Sequence, residues 1–351
     1  GTLIMKIERA ASVPLIVHDP YFSIWSGGGH LNDCDTSHWS GARQAVRGYV
    51  VIDGTPYCFM GDPEFSQTSG QTGLSVTPTS TEYQFENEWI TMQVRFTSPL
   101  LLDDLLLVSR PCTYLDVTVS RKKPAGVRVV FAFSSDLVKF TDGPVNGDVQ
   151  QTEKFRYGVM GKAFQTPLGH SGDHTTIDWG YLYLAGCGPE ARFAYDSEKE
   201  RLDGIVELGT ESESGGIVAA YDDLVSINYF GQWRKEYPTI FDAIGASLDE
   251  REDVLKKSEA LDRSLTERAR EMGGEDYELL CCLSYRQAVA AHKLIEDEDG
   301  NLIFLSKEND SNGCIGTADV SYPSVPLFLM YSTDYIKGML RPVFRFASCD
   351  V

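Results

Sequence analysis

The densest group of polar side chains lies in one short segment, residues 307–314, which reads Lys-Glu-Asn-Asp-Ser-Asn-Gly-Cys. Asp319 and Tyr322 follow within a few residues. Carboxyl groups can donate and accept protons in catalysis, and loops at the rim of a helical scaffold commonly carry functional groups. The alternative is a solvated turn whose Asn and Ser side chains bond to their own backbone. Composition alone leaves both interpretations open.

Two aromatic clusters occur early, HDPYFSIW at 18–25 and HWSG at 38–41. Trp and Tyr beside His and Asp could line a pocket for a sugar or an amino acid. The alternative is a set of core aromatics, each with a hydrogen-bonded His. His170 and His174 have the i, i+4 spacing of metal ligands on a helix, but Gly172 between them argues against that helix.

Composition excludes several classes of protein. The chain has 351 residues, a formal net charge of −20 and a pI near 4.7, which argue against a nucleic-acid or membrane-surface partner. The eight cysteines are scattered without a C-x-x-C pair, so we expect mostly buried thiols and a reducing cytoplasm, or an extracellular or periplasmic location if a signal was removed. Gly27-Gly28-Gly29 lacks the strand-turn-helix context of a phosphate loop, and no cofactor or metal is expected.

The periodicity of apolar residues changes near Pro238. Before it, short segments such as Ile90–Phe96 alternate apolar and polar residues, which is typical of strands with one buried face. About a dozen such segments, separated by Gly, Pro, Asn and Asp, predict an antiparallel β-sandwich over residues 1–238.

Helical patterns follow. Residues 239–274 are expected to form a linker with a long helix that begins at a capping box, Ser247–Glu250, and stops at Gly273-Gly274. A second helix, residues 277–292, has apolar or small residues on every side, which predicts complete burial, with Arg286 inside it.

A hairpin turn is predicted at Asp297–Gly300, with Leu302–Leu305 as the returning strand. Two further helices are expected at about residues 323–332 and 334–347. Asp319 could cap the first of them.

Several long segments of this sequence carry a family resemblance. Near the end they are SYRQAVAAHKL (284–294), DEDGNLIFLSKEN (297–309), SNGCIGTADVSYPS (311–324) and KGMLRPVFRFAS (337–348). Earlier they are VPLIVHDPYFSIW (13–25), HWSG (38–41), RFTSPLL (95–101), SRPCTYLDV (109–117), DWGYLYLA (178–185) and TIFDAIGA (239–246). Over nearly the whole chain the text closely resembles glutaminase A-type proteins of fungi and bacteria.

The resemblance implies hydrolysis of the side-chain amide of L-glutamine to glutamate and ammonia. It also implies an N-terminal β-sandwich of the supersandwich type joined to an α/α-toroid like that of six-hairpin glycosidases. The partner would be a small-molecule substrate, glutamine or a sugar.

Amide hydrolysis needs an activated water or nucleophile, a stabilised oxyanion and a protonated leaving group. On residue type and family motif, the catalytic candidates are Glu308 and Asp319, which would activate water or protonate the ammonia. The candidates for substrate binding are Arg286, Lys307, Asn309, Asn312 and Tyr322. Among these, the two Asn would donate to the oxyanion, and Arg286 or Lys307 would hold the substrate carboxylate.

The chain departs from the family pattern at its end. A toroid needs six helical hairpins, whereas residues 275–351 supply about three helices, so we expect an incomplete toroid. Exposed apolar helix faces mark a partner site. We therefore expect either self-association through residues 323–351 or helices packed onto the sandwich. Two alternatives to a glutaminase stay open: a glycoside hydrolase using the same carboxylates, and a non-catalytic binding or assembly module.

Overall fold

The computed structural model describes residues 10–64, 67–169, 176–225, 231–308 and 314–349. Strands dominate as far as Asp222, and helices dominate after Ile240. The strands are β1 (Val13–Asp19), β2 (Phe22–Ser26), β3 (Ser37–His38), β4 (Val46–Ile52), β5 (Thr55–Met60), β6 (Gly70–Val76), β7 (Ser80–Glu86), β8 (Ile90–Thr97), β9 (Cys112–Arg121), β10 (Val127–Ser134), β11 (Val145–Gln151), β12 (Arg156–Lys162), β13 (Tyr181–Gly186), β14 (Ala191–Asp196), β15 (Arg201–Gly209), β16 (Ser214–Asp222), β17 (His292–Glu296) and β18 (Leu302–Ser306).

The strands before residue 223 form three antiparallel sheets. The largest has the order β11-β12-β13-β16-β9-β8-β7-β6, the second has the order β14-β15-β10-β4-β5, and β1-β2-β3 form a small third sheet. One hydrophobic core takes side chains from all three sheets, including Phe22, Phe96 and Phe131. The prediction of a strand-rich, antiparallel first part followed by a helical part is confirmed, whereas the supersandwich and toroid designations and the domain boundaries stay predictions.

Alternation within single strands explains why these segments pair. In β8, Ile90, Met92, Val94 and Phe96 are buried, while the residues between them are more exposed. Val94 lies opposite Tyr83 of β7 on one side and Val117 of β9 on the other. A strand with one apolar face in such a pair removes that face from water, which is the main favourable term in folding.

The helices described are α1 (Leu105–Ser109), α2 (Ile240–Asp249), α3 (Arg251–Ala290), α4 (Ala318–Leu329) and α5 (Thr333–Ala347). The predicted capping box at Ser247–Glu250 is wrong. The box lies at the start of α2, where the Asp242 amide donates to Thr239 Oγ1 and the Asp242 carboxylate accepts from the Thr239 amide. Ser247 is already inside that helix, and its hydroxyl donates to the Ala243 carbonyl at 2.9 Å.

The predicted stop at Gly273-Gly274 marks a real interruption in α3. Gly274 has φ 80° and ψ −170°, and helical geometry resumes directly after it. This region of backbone conformation is accessible essentially only to glycine.

We expect Gly274→Ala to lower the free energy of unfolding by about 1–3 kcal/mol, because a Cβ strains this conformation. No described heavy atom lies within 4 Å of the position that the added methyl group would take, so crowding by neighbours does not contribute. Chemical denaturation followed by circular dichroism measures the change, with Met272→Ala, on an exposed side chain, as the control. A loss no larger than that of the control would contradict the assignment of strain.

The prediction that residues 277–292 are buried on every side is wrong. We call the part of α3 after Gly274 its second limb. One face of this limb is buried and comprises Cys282, Tyr285, Arg286 and Val289, while Leu280 on another face is 53% exposed. The helix also ends earlier, at Ala290, because His292 begins β17. Apolar residues on the other sides range from partly buried, as at Leu283, to exposed, as at Leu280.

The predicted hairpin is confirmed. Strand β17 pairs with β18 from His292 opposite Ser306 to Glu296 opposite Leu302. The next helix starts at Ala318, earlier than predicted, and Thr317 is its N-cap, so Asp319 lies in the first turn instead of capping. A carboxylate there interacts favourably with the positive end of the helix dipole.

Helices α4 and α5 pack partly onto the strand-rich part. Phe328 and Tyr335 are buried in a core with Leu100 and Leu102, and the Tyr335 hydroxyl donates to the Leu102 carbonyl at 2.7 Å. The opposite face of these helices is apolar and exposed, for instance at Phe344, which is 63% exposed. Self-association through residues 323–351 stays a prediction.

The expectation of mostly buried thiols is wrong. All eight cysteines are free, and the three buried ones are Cys58, Cys112 and Cys282. No helix in the described part of the chain combines the length and the apolar character needed to cross a membrane. The predicted compartment stays a prediction.

Candidate functional site

The two ends of the polar segment singled out above are joined by backbone pairing. Lys307 and Ile315 form an antiparallel bridge, and the Glu308 amide donates to the Cys314 carbonyl at 2.9 Å. The Lys307 amide in turn donates to the Ala291 carbonyl at 2.8 Å. Strand β18 and the end of α3 therefore fix where the loop begins. Asn309 and Asn312 lie outside the described residues, and so do His170 and His174.

Lys307 is buried although it is an ionisable residue at the base of a loop. Its side chain lies over the ring of Tyr21, with Nζ 5.9 Å from the ring centroid, and Nζ donates to the Glu308 carbonyl at 3.1 Å. Burial lowers the pKa of Lys307, while the nearby Glu308 carboxylate opposes that effect. A lysine in this setting is a compact positive charge shielded from water, which strengthens its attraction for an anionic group.

The two candidate carboxylates lie on segments that are tied together. Glu308 is half-buried beside Lys307, and Asp319 is exposed in the first turn of α4. The Ser306 hydroxyl is 2.7 Å from the Ser321 hydroxyl, which joins the end of β18 to the start of α4. Tyr322, the next residue, is 81% exposed. The structure thus brings the segments of Lys307, Glu308 and Asp319 together at one end of the β17–β18 hairpin.

Arg286 lies elsewhere, inside the junction between α3 and the strands. It is fully buried, and its guanidinium donates to Thr81 Oγ1 at 2.9 Å and to the Pro14 carbonyl at 3.4 Å. Burial lowers its pKa to about 10, and the carboxylate of Asp262 opposes the shift. The two terminal nitrogens of the Arg286 guanidinium therefore hold α3 on β1 and β7.

The structure also shows a buried charge cluster that the sequence analysis did not find. We call Asp19, Asp223 and Lys293 the junction triad. Lys293 Nζ donates to Asp223 Oδ2 at 2.8 Å and to Asp19 Oδ2, and each of the three side chains is less than 10% exposed. The triad joins the end of β1 and the segment after β16 to β17. Only the position of Asp19 inside the HDPYFSIW segment was a signal for it.

In the junction triad, attraction between opposite charges opposes the effect of burial on each pKa. Burial alone acts to lower the pKa of Lys293, but the two carboxylates outweigh burial and hold it above its ordinary value. Burial raises the pKa of Asp19, against the attraction of Lys293. The backbone amide of Tyr21 donates to Asp19 Oδ1 at 2.8 Å, so the same β1–β2 turn contacts Lys293 through Asp19 and Lys307 through the Tyr21 ring.

Within the described residues, no group of three or more His, Cys, Asp or Glu side chains is placed to hold a metal ion. The described side chains where β18 ends include two carboxylates, Glu308 and Asp319, and the shielded ammonium group of Lys307. These groups can move protons and bind an anion.

Known protein families match several parts of this chain. Three family models match: the glutaminase A six helical-hairpin domain over residues 274–349, and two domains of unknown function, DUF5127 over 79–202 and DUF4964 over 4–69. The first coincides with the helical part that carries the candidate site, and the other two cover most of the strands. The arrangement is thus one of antiparallel sheets followed by a helical-hairpin region.

These matches, together with the similarity to named glutaminases, support a glutaminase A-type family for this chain. It is 26% identical over 396 residues to Glutaminase A of Aspergillus oryzae, with 96% of this chain and 56% of that protein covered. It is 27% identical over 111 residues to a protein of Arthroderma benhamiae named "Probable glutaminase", covering 32% of this chain and 13% of that protein. The chain therefore spans about half the length, or less, of these relatives.

A solved structure named "Putative kojibiose phosphorylase from human microbiome" is also similar. It matches with a TM-score of 0.42 and 10% identity, over 71% of this chain and 32% of that one.

Proposed function

We propose that the protein containing this chain hydrolyses the side-chain amide of L-glutamine. We also propose that part of its active site lies where β18 ends, beside Lys307. The observation that supports this most is similarity to Glutaminase A over 96% of the chain. Glutamine offers an α-carboxylate and a neutral amide, so its site needs a cation for the first and a proton donor or acceptor for the second.

In this proposal Lys307 holds the substrate α-carboxylate. Its ammonium group is shielded from water and has a backbone carbonyl as its described acceptor, which leaves donors for an incoming anion. Arg286, the other candidate, is occupied by Thr81 and Pro14 and serves to position α3.

Glu308 and Asp319 are the proposed proton carriers. Glu308 adjoins the shielded lysine, and Asp319 belongs to the helix that the Ser306–Ser321 contact fixes beside the loop. One carboxylate activates water and the other protonates the departing ammonia. Asn309 and Asn312 stay candidates for the oxyanion, and Tyr322 for a contact with the substrate.

We expect Glu308→Gln and Asp319→Asn each to reduce ammonia release from glutamine by about 10²–10⁴-fold, the usual contribution of a general acid or base. A coupled assay for ammonia measures this in the purified protein. Matched controls are Glu298→Gln and Asp299→Asn, which change the same groups at exposed positions in the hairpin turn and should leave the rate unchanged.

Full activity in both site variants would remove both acids from the scheme. Absence of ammonia release from the protein that contains this chain would contradict the proposal. If a glycoside were hydrolysed instead, with the same dependence on Glu308 and Asp319, the glycosidase alternative would replace it.

A further inference from the structure

A cavity of about 380 Å³ lies between the second limb of α3 and a wall formed by residues 10–12, Trp25 of β2, and β3 with the residues that follow it. This volume is in the range of pockets that hold small molecules. Two tryptophans, a histidine, a serine and two residues of α3 contribute to its walls: Trp25, His38, Trp39, Ser37, Leu283 and Gln287. The cavity therefore brings together the two aromatic segments that stood out in the sequence.

Hydrogen bonds and ring contacts hold the backbone of Trp39 and the side chains of Trp25 and His38. The Trp39 amide donates to the Ser23 carbonyl at 3.3 Å, and the Trp25 indole N–H donates to Ser23 Oγ at 2.9 Å. The rings of His38 and Trp39 meet edge to face at 6.1 Å between centroids. An aromatic surface held in this way offers a flat apolar face at little cost in conformational entropy.

One polar group in these walls lacks a partner. The Trp39 indole nitrogen is shielded and has no hydrogen-bond acceptor among the described residues. Buried N–H groups in native proteins are normally paired. Trp25 meets this rule through Ser23, whereas the N–H of Trp39, in a residue that lines the cavity, has no acceptor among the described residues.

The cavity is electrically neutral. None of its described lining residues is Asp, Glu, Lys or Arg. His38 is neutral as well, because burial lowers its pKa to about 3, with the charge of Lys307 acting in the same direction. Its Nε2 lies 3.2 Å from the Pro20 carbonyl and its Nδ1 lies 2.8 Å from Ser40 Oγ, so both ring nitrogens are engaged.

Neutral walls decide which ligand fits. Free glutamine carries an ammonium and a carboxylate, and burying these without charged partners is costly. A sugar is uncharged, presents an apolar ring face to an indole, and offers hydroxyl groups to the Trp39 N–H, the Ser37 hydroxyl and the Gln287 amide. We infer that this cavity is a binding site for a neutral sugar ring, separate from the loop of Lys307 and Glu308.

The test is a calorimetric titration of the purified protein with D-glucose and with maltose. We expect a dissociation constant of about 1 mM, which corresponds to about −4 kcal/mol. Trp39→Ala should weaken binding at least about tenfold, because it removes both the stacking face and the N–H. Trp89→Ala is the matched control, since Trp89 lies between β7 and β8 under Lys123 and should leave the affinity unchanged.

Two further measurements keep the test decisive if Trp39→Ala does not fold. Gln287→Leu alters an exposed helix position and should weaken sugar binding by a few fold without loss of structure. Sorbitol, which has the hydroxyl groups but no ring, should bind more weakly than glucose.

Four results would overturn the inference. They are no binding of either sugar, equal affinity in the unmodified protein and in both cavity variants, equal affinity for sorbitol and glucose, and binding of glutamine that depends on Trp39. Because the readout is binding and not turnover, failure here leaves the proposed glutamine hydrolysis untouched, and the reverse also holds.

Discussion

Lys293→Met is expected to lower the free energy of unfolding by about 3–5 kcal/mol, because it removes the cation between two buried carboxylates. Asp19 and Asp223 are 7% and 3% exposed, so neither can recover water when the ammonium is lost. Methionine has a similar length and fills the space. The loss therefore comes mainly from uncompensated charge and little from a cavity. Chemical denaturation followed by tryptophan fluorescence measures it.

The matched control is Lys235→Met. Lys235 Nζ lies 2.8 Å from Glu296 Oε2 at the same hairpin, but its side chain is 62% exposed. Exposed ion pairs contribute about 0–1 kcal/mol, so this variant should be close to the unmodified protein. In the Lys293→Met background, changing both carboxylates to Asn should restore part of the stability. A Lys293→Met effect as small as that of the control would refute the triad as a structural element.

The free energy of unfolding is expected to fall as the pH drops from about 7 to 5. Each histidine that stays neutral in the folded state contributes about 2 kcal/mol to this fall. Burial lowers the pKa of His18 to about 3 and that of His292 to about 4, and it lowers that of His38 as described above. Below the ordinary value of 6.5, the unfolded chain binds these protons and the folded chain does not. Linkage then favours the unfolded state as the pH falls.

His292→Phe isolates one of the three contributions. His292 stacks against Phe304 at 4.6 Å and meets Phe328 edge to face, so a phenyl ring fits the same contacts. Between about pH 7 and 5, we expect the free energy of unfolding of the His292→Phe variant to fall by about 2 kcal/mol less than that of the unmodified protein. Denaturation midpoints measured across this pH range give the two values. His30→Gln, at an exposed position, is the control. Buried carboxylates such as Asp262, whose pKa burial raises, act in the opposite sense but are common to both variants. An unchanged pH dependence in His292→Phe would refute the assignment.

Local patterns predicted much of the fold because their physical causes are local. Alternation over Ile90–Phe96 gave the correct strand, since side-chain direction in a strand repeats every two residues. The turn at Asp297–Gly300 gave the correct hairpin, with Gly300 at φ 78°, a conformation that glycine adopts without strain.

Helix starts and helix burial were predicted less well. Ser247–Glu250 and Thr239–Asp242 both fit the spacing of a capping box, and only the packing of α2 on the sheet, through Ile240 and Ile244, selects the second. The second limb of α3 has apolar residues on all sides, but contacts with β1 and β7 cover only one of them. Which side is covered depends on partners distant in sequence.

The candidate site was predicted in part. Residue type and family motif pointed to Lys307, Glu308 and Asp319, and the structure places their segments together. Arg286 was found as a buried charge needing a partner, but its use in holding α3 could not be inferred from its own helix. The junction triad was missed because its partners come from three distant segments that no local spacing connects.

The long reach of the junction triad has a consequence during synthesis. Lys293 follows Asp19 by 274 residues and Asp223 by 70. At a translation rate of about 5–20 residues per second, Asp19 is synthesised roughly 14–55 s before Lys293. Any sheet that assembles in this interval keeps that carboxylate hydrated, and the junction between β1 and the segment after β16 lacks its cation until β17 is made. The nascent chain is thus exposed to chaperones and proteases at this junction, and arrival of the hairpin seals it.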